Sequence, residues 1–461
     1  MQYFGNLWVI FIEISKFASD MKKMNWAAIA LMMATAMTAG CSSSSDENDP
    51  QPVICPVEPP TTLELTRAEQ EMVNSSNAFA FNLFREARDE VKSQILSPIS
   101  ITYALGMLNN GAAGETQQEI NKVLGFAQTG AAGINEFCYK MLQRAANTED
   151  PLVLIANNIY MNKGFELLPE FVSKAKTFYN ADAETRDFHD GKTRDVINQW
   201  GSDHTEGMIK EVLKKDEFNP DFVSYLLNAI YFKGTWTYKF DKNMTVDEVF
   251  GHAGDTEELT YRPMMHQQAL FGYAETDDYQ ALRLPYGKYS ELPDCPPGAN
   301  DCKFVMTVLL PKLQTNALPE VPTTDVWQQI QQQMSITNVD VKLPRFESDT
   351  DIDLIPIMQK LGMNKAFSGA AEFPYFCDAN TYIALMKQVA KIKLDEEGTE
   401  AAAVTVIGMD KSAPAYDNAV FHANHPFIYV ISEQRTGAIF FIGQYTGYQT
   451  GTTFYVGPYT D

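Results

Sequence analysis

Asp395-Glu396-Glu397-Gly398-Thr399-Glu400-Ala401-Ala402-Ala403-Val404-Thr405-Val406-Ile407-Gly408 joins a charged turn to a run of small and β-branched residues in which Glu400 is the one charge. With the two-residue period of a strand, Thr399, Ala401, Ala403, Thr405, Ile407 and Met409 share one face, and all are uncharged. Glu400 and Asp410 fall on the other face, with Ala402, Val404, Val406 and Gly408. A loop that stays in water has no reason to keep charge off one face. A segment that must become a strand with one buried face does. The plain alternative is an edge strand followed by a turn. A polar stretch interrupted by proline comes next, from Asp410 to Asn418.

Working outward, residues 384–394 read as the strand before this turn, and 427–431 with 438–442 as a hairpin pair after it. Residues 152–160 and 222–232 are apolar strands, the second bounded by Gly234, and 281–284, 304–310 and 339–343 are shorter ones. Helical patterns cover 67–90, where Phe79, Phe81, Leu83 and Phe84 form the apolar side, then 97–108, 115–124, 133–147, 168–179, 196–205 and 352–361. Ser97-Pro98 is a strong helix start, because serine caps the free N–H groups and proline fits the first turn. Gly111 to Gly114 breaks that helix, and Gly362 stops the last. Helices dominate the first half and strands the second, with no βαβ alternation and no internal repeat. This predicts an α+β fold with a mostly antiparallel sheet system. No Pro/Gly-rich linker divides the body, so 65–461 reads as a single domain, although 461 residues would suggest about three.

Hydrophobic residues make up 45% and charged residues 21%, which excludes a mostly disordered, collagenous, coiled-coil or polytopic membrane chain. The net charge of −23 argues against nucleic-acid binding, which needs clustered Lys and Arg. Near the N-terminus, Met21-Lys22-Lys23, an apolar run over 26–39 and Gly40-Cys41 read as a secretory signal too short to span a bilayer. Thr38-Ala39-Gly40-Cys41 resembles a bacterial lipobox, with Thr38 in place of the usual Leu. Residues 1–40 are thus expected to be a leader, with Met21 as the start of translation, and Cys41 an acylated anchor. Residues 41–64 form an acidic, flexible tether. The body is expected to be exported and held at the outer membrane or cell surface, extracellular or periplasmic. Cys295 and Cys302 bracket a turn-rich loop, the spacing of a short disulfide. Cys55, Cys138 and Cys377 remain, an odd number. No Cys-x-x-Cys, His-Glu-x-x-His, Gly-x-Ser-x-Gly or phosphate-cradling loop is present, so no metal, cofactor or enzymatic activity is expected.

Eight motifs in order give the chain a family likeness. Ser97-Pro98-Ile99-Ser100 comes first, then Gly111-Ala112-Ala113-Gly114-Glu115-Thr116. Asn198-x-Trp200 with Thr205-x-Gly207 precedes Asn228-Ala229-Ile230-Tyr231-Phe232-Lys233-Gly234-x-Trp236. Leu284-Pro285-Tyr286, Leu343-Pro344-Arg345-Phe346 and Leu361-Gly362-Met363 follow, and Phe421-His422-Ala423-Asn424-His425-Pro426-Phe427 closes the set. In this the chain resembles the serpins, the serine protease inhibitor family, from about Phe79 to Gly443. The resemblance implies eight or nine helices around three β-sheets, with an exposed reactive loop at about 397–420.

It also implies a mechanism. A protease attacks the loop as bait and forms an acyl-enzyme; the freed loop then inserts into the main sheet as a new strand. A dozen inserted residues carry the tethered protease roughly 40 Å. Distortion of its active site stops deacylation, giving a covalent 1:1 complex. The hinge, Glu396, Glu397, Gly398, Thr399, Glu400, Ala401, Ala402, Ala403, Val404 and Thr405, is similar to that of inhibitory members. Family spacing from Glu396 puts the cut at Ser412-Ala413, and Lys411-Ser412 would suit a trypsin-like protease. Met409 is the alternative for subtilisin-like or elastase-like enzymes. Ser97, Ser100 and Asn228 match the shutter beneath the sheet opening, where Gln388 replaces the usual histidine. Trp236 matches the breach, with Arg345–Glu396 as an ion pair expected to be partly exposed and worth little by itself. The expected function is suicide inhibition of serine, and also cysteine, endopeptidases by a monomer without cofactor. The alternatives are a non-inhibitory binding protein of the same fold and an exported hydrolase or glycan-binding lipoprotein.

Overall fold

The computed structural model describes residues 66–145, 151–251, 260–287, 303–313, 317–399 and 418–448. The leader, Cys41, Cys55, Cys295, Cys302 and 400–417 lie outside the described residues. Helix α1 (Arg67–Ala87) opens on a capping box between Thr66 and Glu69 and buries Phe79, Phe81, Leu83 and Phe84. Strand β1 (Gln94–Leu96) leads into α2 (Pro98–Asn109), which Ser97 caps through the N–H of Ser100. This helix is buried on nearly every side, the mark of a central helix. Helices α3 (Gly114–Val123) and α4 (Gly130–Ala145) follow, then β2 (Leu152–Asn162), α5 (Pro169–Tyr179), β3 (Asp182–Arg186), α6 (Thr193–Asp203) and β4 (Ser224–Thr235). The second half holds β5 (Val246–Phe250), β6 (Thr260–Glu275), β7 (Tyr279–Pro285), β8 (Phe304–Pro311), α7 (Thr324–Gln333), β9 (Ser335–Pro344), β10 (Phe346–Asp353) and α8 (Ile355–Leu361). It closes with β11 (Lys387–Asp395), β12 (Gly398–Thr399), β13 (Asn418–His422), β14 (Phe427–Glu433) and β15 (Ile439–Tyr445).

The described strands make two hydrogen-bonded sheets. One has six strands in the order β10-β11-β12-β4-β2-β3. The other has nine, β1-β15-β14-β8-β7-β6-β9-β13, with β5 paired to β6. The long β6 and β9 run through two lobes of the larger sheet, so the second and third sheets implied by the family likeness are continuous here. Apolar faces of the two sheets meet in an aromatic core. Phe232 packs edge-on against Phe304 and Phe441, and Phe346 stacks on Tyr445 with ring centres 4.6 Å apart. Helix α2 packs on β4 of one sheet and β15 of the other, so its N-terminus sits at their junction. Cys138 and Cys377 are buried free thiols.

Several elements escape the sequence pattern: the short strands β1, β3, β5 and β13, and more tellingly β10 and α7. Strand β10 alternates buried Phe346, Ser348 and Thr350 with exposed Glu347, Asp349 and Asp351, but its acidic residues argue against a strand. The register supplies the reason it forms: Glu347, Asp349 and Asp353 lie opposite Lys393, Lys391 and Lys387 of β11. The following helix therefore starts at Ile355, not at 352. Helix α7 buries only Trp327 and Ile330 of its ten residues, too sparse an apolar stripe to read among five glutamines.

Candidate functional site

The site is a break in the six-stranded sheet. Strands β4 and β11 share no ladder among the described residues; between them lies β12, two residues long. Gly398 and Thr399 pair with Thr235 and Gly234 on one side and with Asp395 and Leu394 on the other. Adjacent strands sit about 4.8 Å apart, so this spacing holds β4 and β11 roughly 10 Å from each other. Beyond Thr399 the two strands border a slot. Its lower part is a cavity of about 320 Å³, lined among others by Ser100, Leu105, Trp200, Tyr225, Asn228 and Gln388.

Two layers of contacts hold the slot, the first at its mouth. Gly398 has φ of +146°, and a Cβ there would meet the Gly234 carbonyl at 2.1 Å, so glycine is required. The Trp236 indole donates to the Asp395 carbonyl at 2.9 Å and stacks on Tyr286, whose hydroxyl is 2.8 Å from Thr399 Oγ1. The backbone N–H groups of Trp236 and Phe240 donate to the carbonyls of Glu397 and Glu396. The Glu396 carboxylate accepts from Arg345 and, at 2.7 Å, from Thr245. Glu397 lies 3.0 Å from both Lys239 and Lys242.

The Arg345–Glu396 pair is partly exposed through its cation. Arg345 is half exposed, but Glu396 retains only 1% of its surface, so the pair covers a buried carboxylate and does not rest on the surface. Burial pushes the Glu396 carboxyl up, and its bonds to Arg345 and Thr245 outweigh that and hold it below its ordinary range. Glu397 behaves likewise, with Lys239 and Lys242 overcoming burial.

Deeper down, the N-terminus of α2 touches both banks. Gln388 of β11 grips the backbone of Ser97 twice: the Ser97 N–H donates to Gln388 Oε1 and Gln388 Nε2 donates to the Ser97 carbonyl, each at 2.9 Å. On the other bank the Ser100 hydroxyl donates to Asn228 Oδ1 of β4. Asn228 Nδ2 in turn donates to Asn157 Oδ1 of β2 at 2.7 Å. The Ser97 hydroxyl donates to the Phe440 carbonyl of the other sheet. Five residues singled out from the sequence, Ser97, Ser100, Asn228, Gln388 and Trp236, therefore border one slot. Glu400 to Thr405, Met409, Lys411, Ser412 and Ala413 lie outside the described residues. Sequence reading missed Lys239, Lys242, Thr245 and Asn157, whose partners are distant in the chain and leave no local signal.

A family model described as "Serpin (serine protease inhibitor)" matches residues 74–447. Human Serpin B3 is 32% identical over 394 residues, covering 81% of this chain and 98% of its own. The crystal structure of tengpin, a thermophilic serpin in its native state, superposes with a TM-score of 0.71 at 25% identity, covering 82% of this chain and 94% of tengpin. A cleaved serpin, Serpin 42Da, gives a TM-score of 0.70 at 27% identity, covering 82% of this chain and 99% of its own.

Two predictions come from this geometry. Gln388→Ala strips two buried backbone groups of Ser97 of their partners and lowers the unfolding free energy by about 1–3 kcal/mol. The adjoining cavity admits water, which places the loss toward the lower end; the urea midpoint reads it. For Glu396 and Glu397 the folded carboxyls are depressed. Their stabilisation is therefore present above the unfolded value, near 4.5, and is lost as pH falls through the folded values. The Glu396→Gln/Glu397→Gln protein loses about 1 kcal/mol at pH 7, after allowance for the exposed Arg345 and Lys242. Its urea midpoint also falls less than the parent's between pH 5 and pH 3.

Proposed function

This chain belongs to the serpin family, and we propose that it is an inhibitory member, a single-use trap for serine endopeptidases. The observation that carries the proposal is the two-residue strand β12, seated at the mouth of a slot that its own chain could fill. The observed register extends in one way. Each step forward from Thr399 moves one residue back along β4 and one back along β11. Ala401 then falls opposite Phe232 and Ile392, Ala403 opposite Ile230 and Ala390, and Thr405 opposite Asn228 and Gln388. Small inward residues arrive where the walls are apolar, and the one inward hydroxyl before Ile407 arrives where the walls are amides. That match supports insertion and speaks against a non-inhibitory loop, which has no need of it.

The same register supports a place for the cut. Ser224, the first residue of β4, falls opposite Met409. Ten residues, 400–409, thus fill the slot, about 33 Å of strand. A cut after Lys411 or Ser412 leaves two or three residues spare to carry the acyl bond at the far end. A cut after Met409 leaves none. Ala413-Pro414 is a poor bond, since proline lacks the N–H and restricts its neighbour. A protease dragged that distance and pressed against the far edge of the sheet loses the alignment its oxyanion hole requires, and deacylation stops.

The partner is then a trypsin-like, elastase-like or subtilisin-like enzyme, held in a covalent 1:1 complex by a monomer. Cysteine endopeptidases, which also pass through an acyl-enzyme, are included. We propose further that 1–40 is a leader removed on export, that Cys41 carries lipid, and that 41–64 tethers the inhibitory body at the outer membrane or cell surface. The support for this is the sequence of residues 21–50.

The test is direct. The protein from Cys41 onward is incubated with trypsin, elastase, subtilisin and a cysteine protease. At least one serine protease should give a complex that survives boiling in detergent, with a released C-terminal fragment beginning at Ser412 or Ala413 by mass. Ala403→Arg should be cleaved at the same bond at an undiminished rate while complex falls at least tenfold. Ala403 serves better than Thr399, which is already buried in the starting structure. Cleavage without complex by every protease would sink the proposal.

A further inference from the structure

Glu400 is the one charged residue among the ten that follow Thr399. The ladder sets Thr399 opposite Leu394 on β11 and Gly234 on β4. A strand entering in this register would bring Glu400 to the level of Lys393 and Lys233, one from each bank. Side-chain alternation agrees. Leu394, Gly234 and Thr399 are buried, so their chain neighbours face outward, and both lysines are exposed. Directly opposed residues have Cβ atoms about 5 Å apart, an easy reach for an ammonium group to a carboxylate. Among the described residues Lys393 also lies opposite Glu347 of β10. The Lys393 ammonium is 3.9 Å from Glu347, the outer limit of an ion pair, and its side chain is 48% exposed.

A carboxylate that enters between two strands loses part of its water on both sides. Uncharged walls would make Glu400 an obstacle at the first step of insertion. Like charges directly opposite it would be worse. We infer that Lys233 and Lys393 form a cationic seat for the carboxylate of the entering strand. They favour the inserted sheet and so set how an attacked molecule divides between trapping its protease and being merely cut. The inference rests on the inhibitory reading. Lys233 and Lys393 are positioning residues; they touch no reacting atom.

The experiment is a charge swap read in two ways. Thermolysin, whose zinc-bound water forms no acyl-enzyme, cleaves the loop without being trapped. The urea midpoint of the protein is then measured before and after cleavage, with the cut mapped by mass to 409–413. Serine-protease complexes are counted separately. Lys233→Glu/Lys393→Glu should lower the midpoint of the uncleaved protein a little, because Lys393 lies opposite Glu347 on β10, and lower that of the cleaved form by clearly more. It should also raise the ratio of cleaved product to complex roughly threefold or more. Adding Glu400→Lys should restore both readouts, and 1 M NaCl should shrink the difference by screening. Unchanged values in the reversed variant, or failure of Glu400→Lys to rescue, would overturn the seat. A cleaved parent that gains no urea resistance would overturn it too, since no strand enters. A parent that gains resistance but traps no protease would end the inhibitory reading alone, and the midpoints would still decide the seat.

Discussion

Everything in this molecule depends on a sheet kept one strand short. β4 and β11 are long strands, yet among the described residues neither has the other as a partner, and two hinge residues hold them apart. An open strand edge is a row of backbone donors and acceptors waiting for a partner. Here two such edges face each other across the width of a single strand. Closing the gap directly would pull β4 and β11 together through the aromatic core around Phe232, which is anchored to Phe304 and Phe441 of the second sheet. Filling it with a strand satisfies both edges at once and leaves the core where it is. Under the inhibitory reading proposed above, the residues that follow Thr399 in the chain would be that strand.

Such a slot must also be closed to accident. The contacts that do this converge on α2, which packs on both sheets. Ser97 is tied to β11 by Gln388 and to the second sheet by its hydroxyl, and Ser100 is tied to β4 through Asn228. Neither bank can shift without breaking a bond to the same helix turn. At the mouth three cations, Arg345, Lys239 and Lys242, hold the carboxylates of Glu396 and Glu397 in the turn ahead of β12.

Much of this was legible in residues that obey local rules. Ser97-Pro98 announced the start of α2, and Gly398-Thr399 after the charged turn marked the short β12. The apolar runs at 152–160 and 222–232 marked β2 and β4. What stayed hidden depends on neighbours brought from elsewhere in the chain. Strand β10 is acidic and looks unlike a strand until the lysines of β11 stand opposite it. Helix α7 shows only two buried apolar residues. Lys239 and Lys242 look like solvated charges until the fold turns Glu397 toward them. Glu396 stands in a charged turn of the sequence, and nothing local signals that its carboxylate is buried against Arg345 and Thr245.

The substitution at 388 has a consequence for how closure responds to acidity. A histidine there, as the family likeness would have it, offers one donor and one acceptor only while neutral; protonated, it has two donors and cannot accept from the Ser97 N–H. Its grip would change between about pH 6 and 7, where histidine titrates. The Gln388 amide has a fixed donor and a fixed acceptor, and both are used on Ser97. At the mouth, Glu396 and Glu397 are held below their ordinary range. The grip on Ser97 therefore keeps its donor and its acceptor across the range in which a histidine would titrate. Under the inhibitory reading proposed above, the event that opens the slot is then a cut in the loop and not a change of pH.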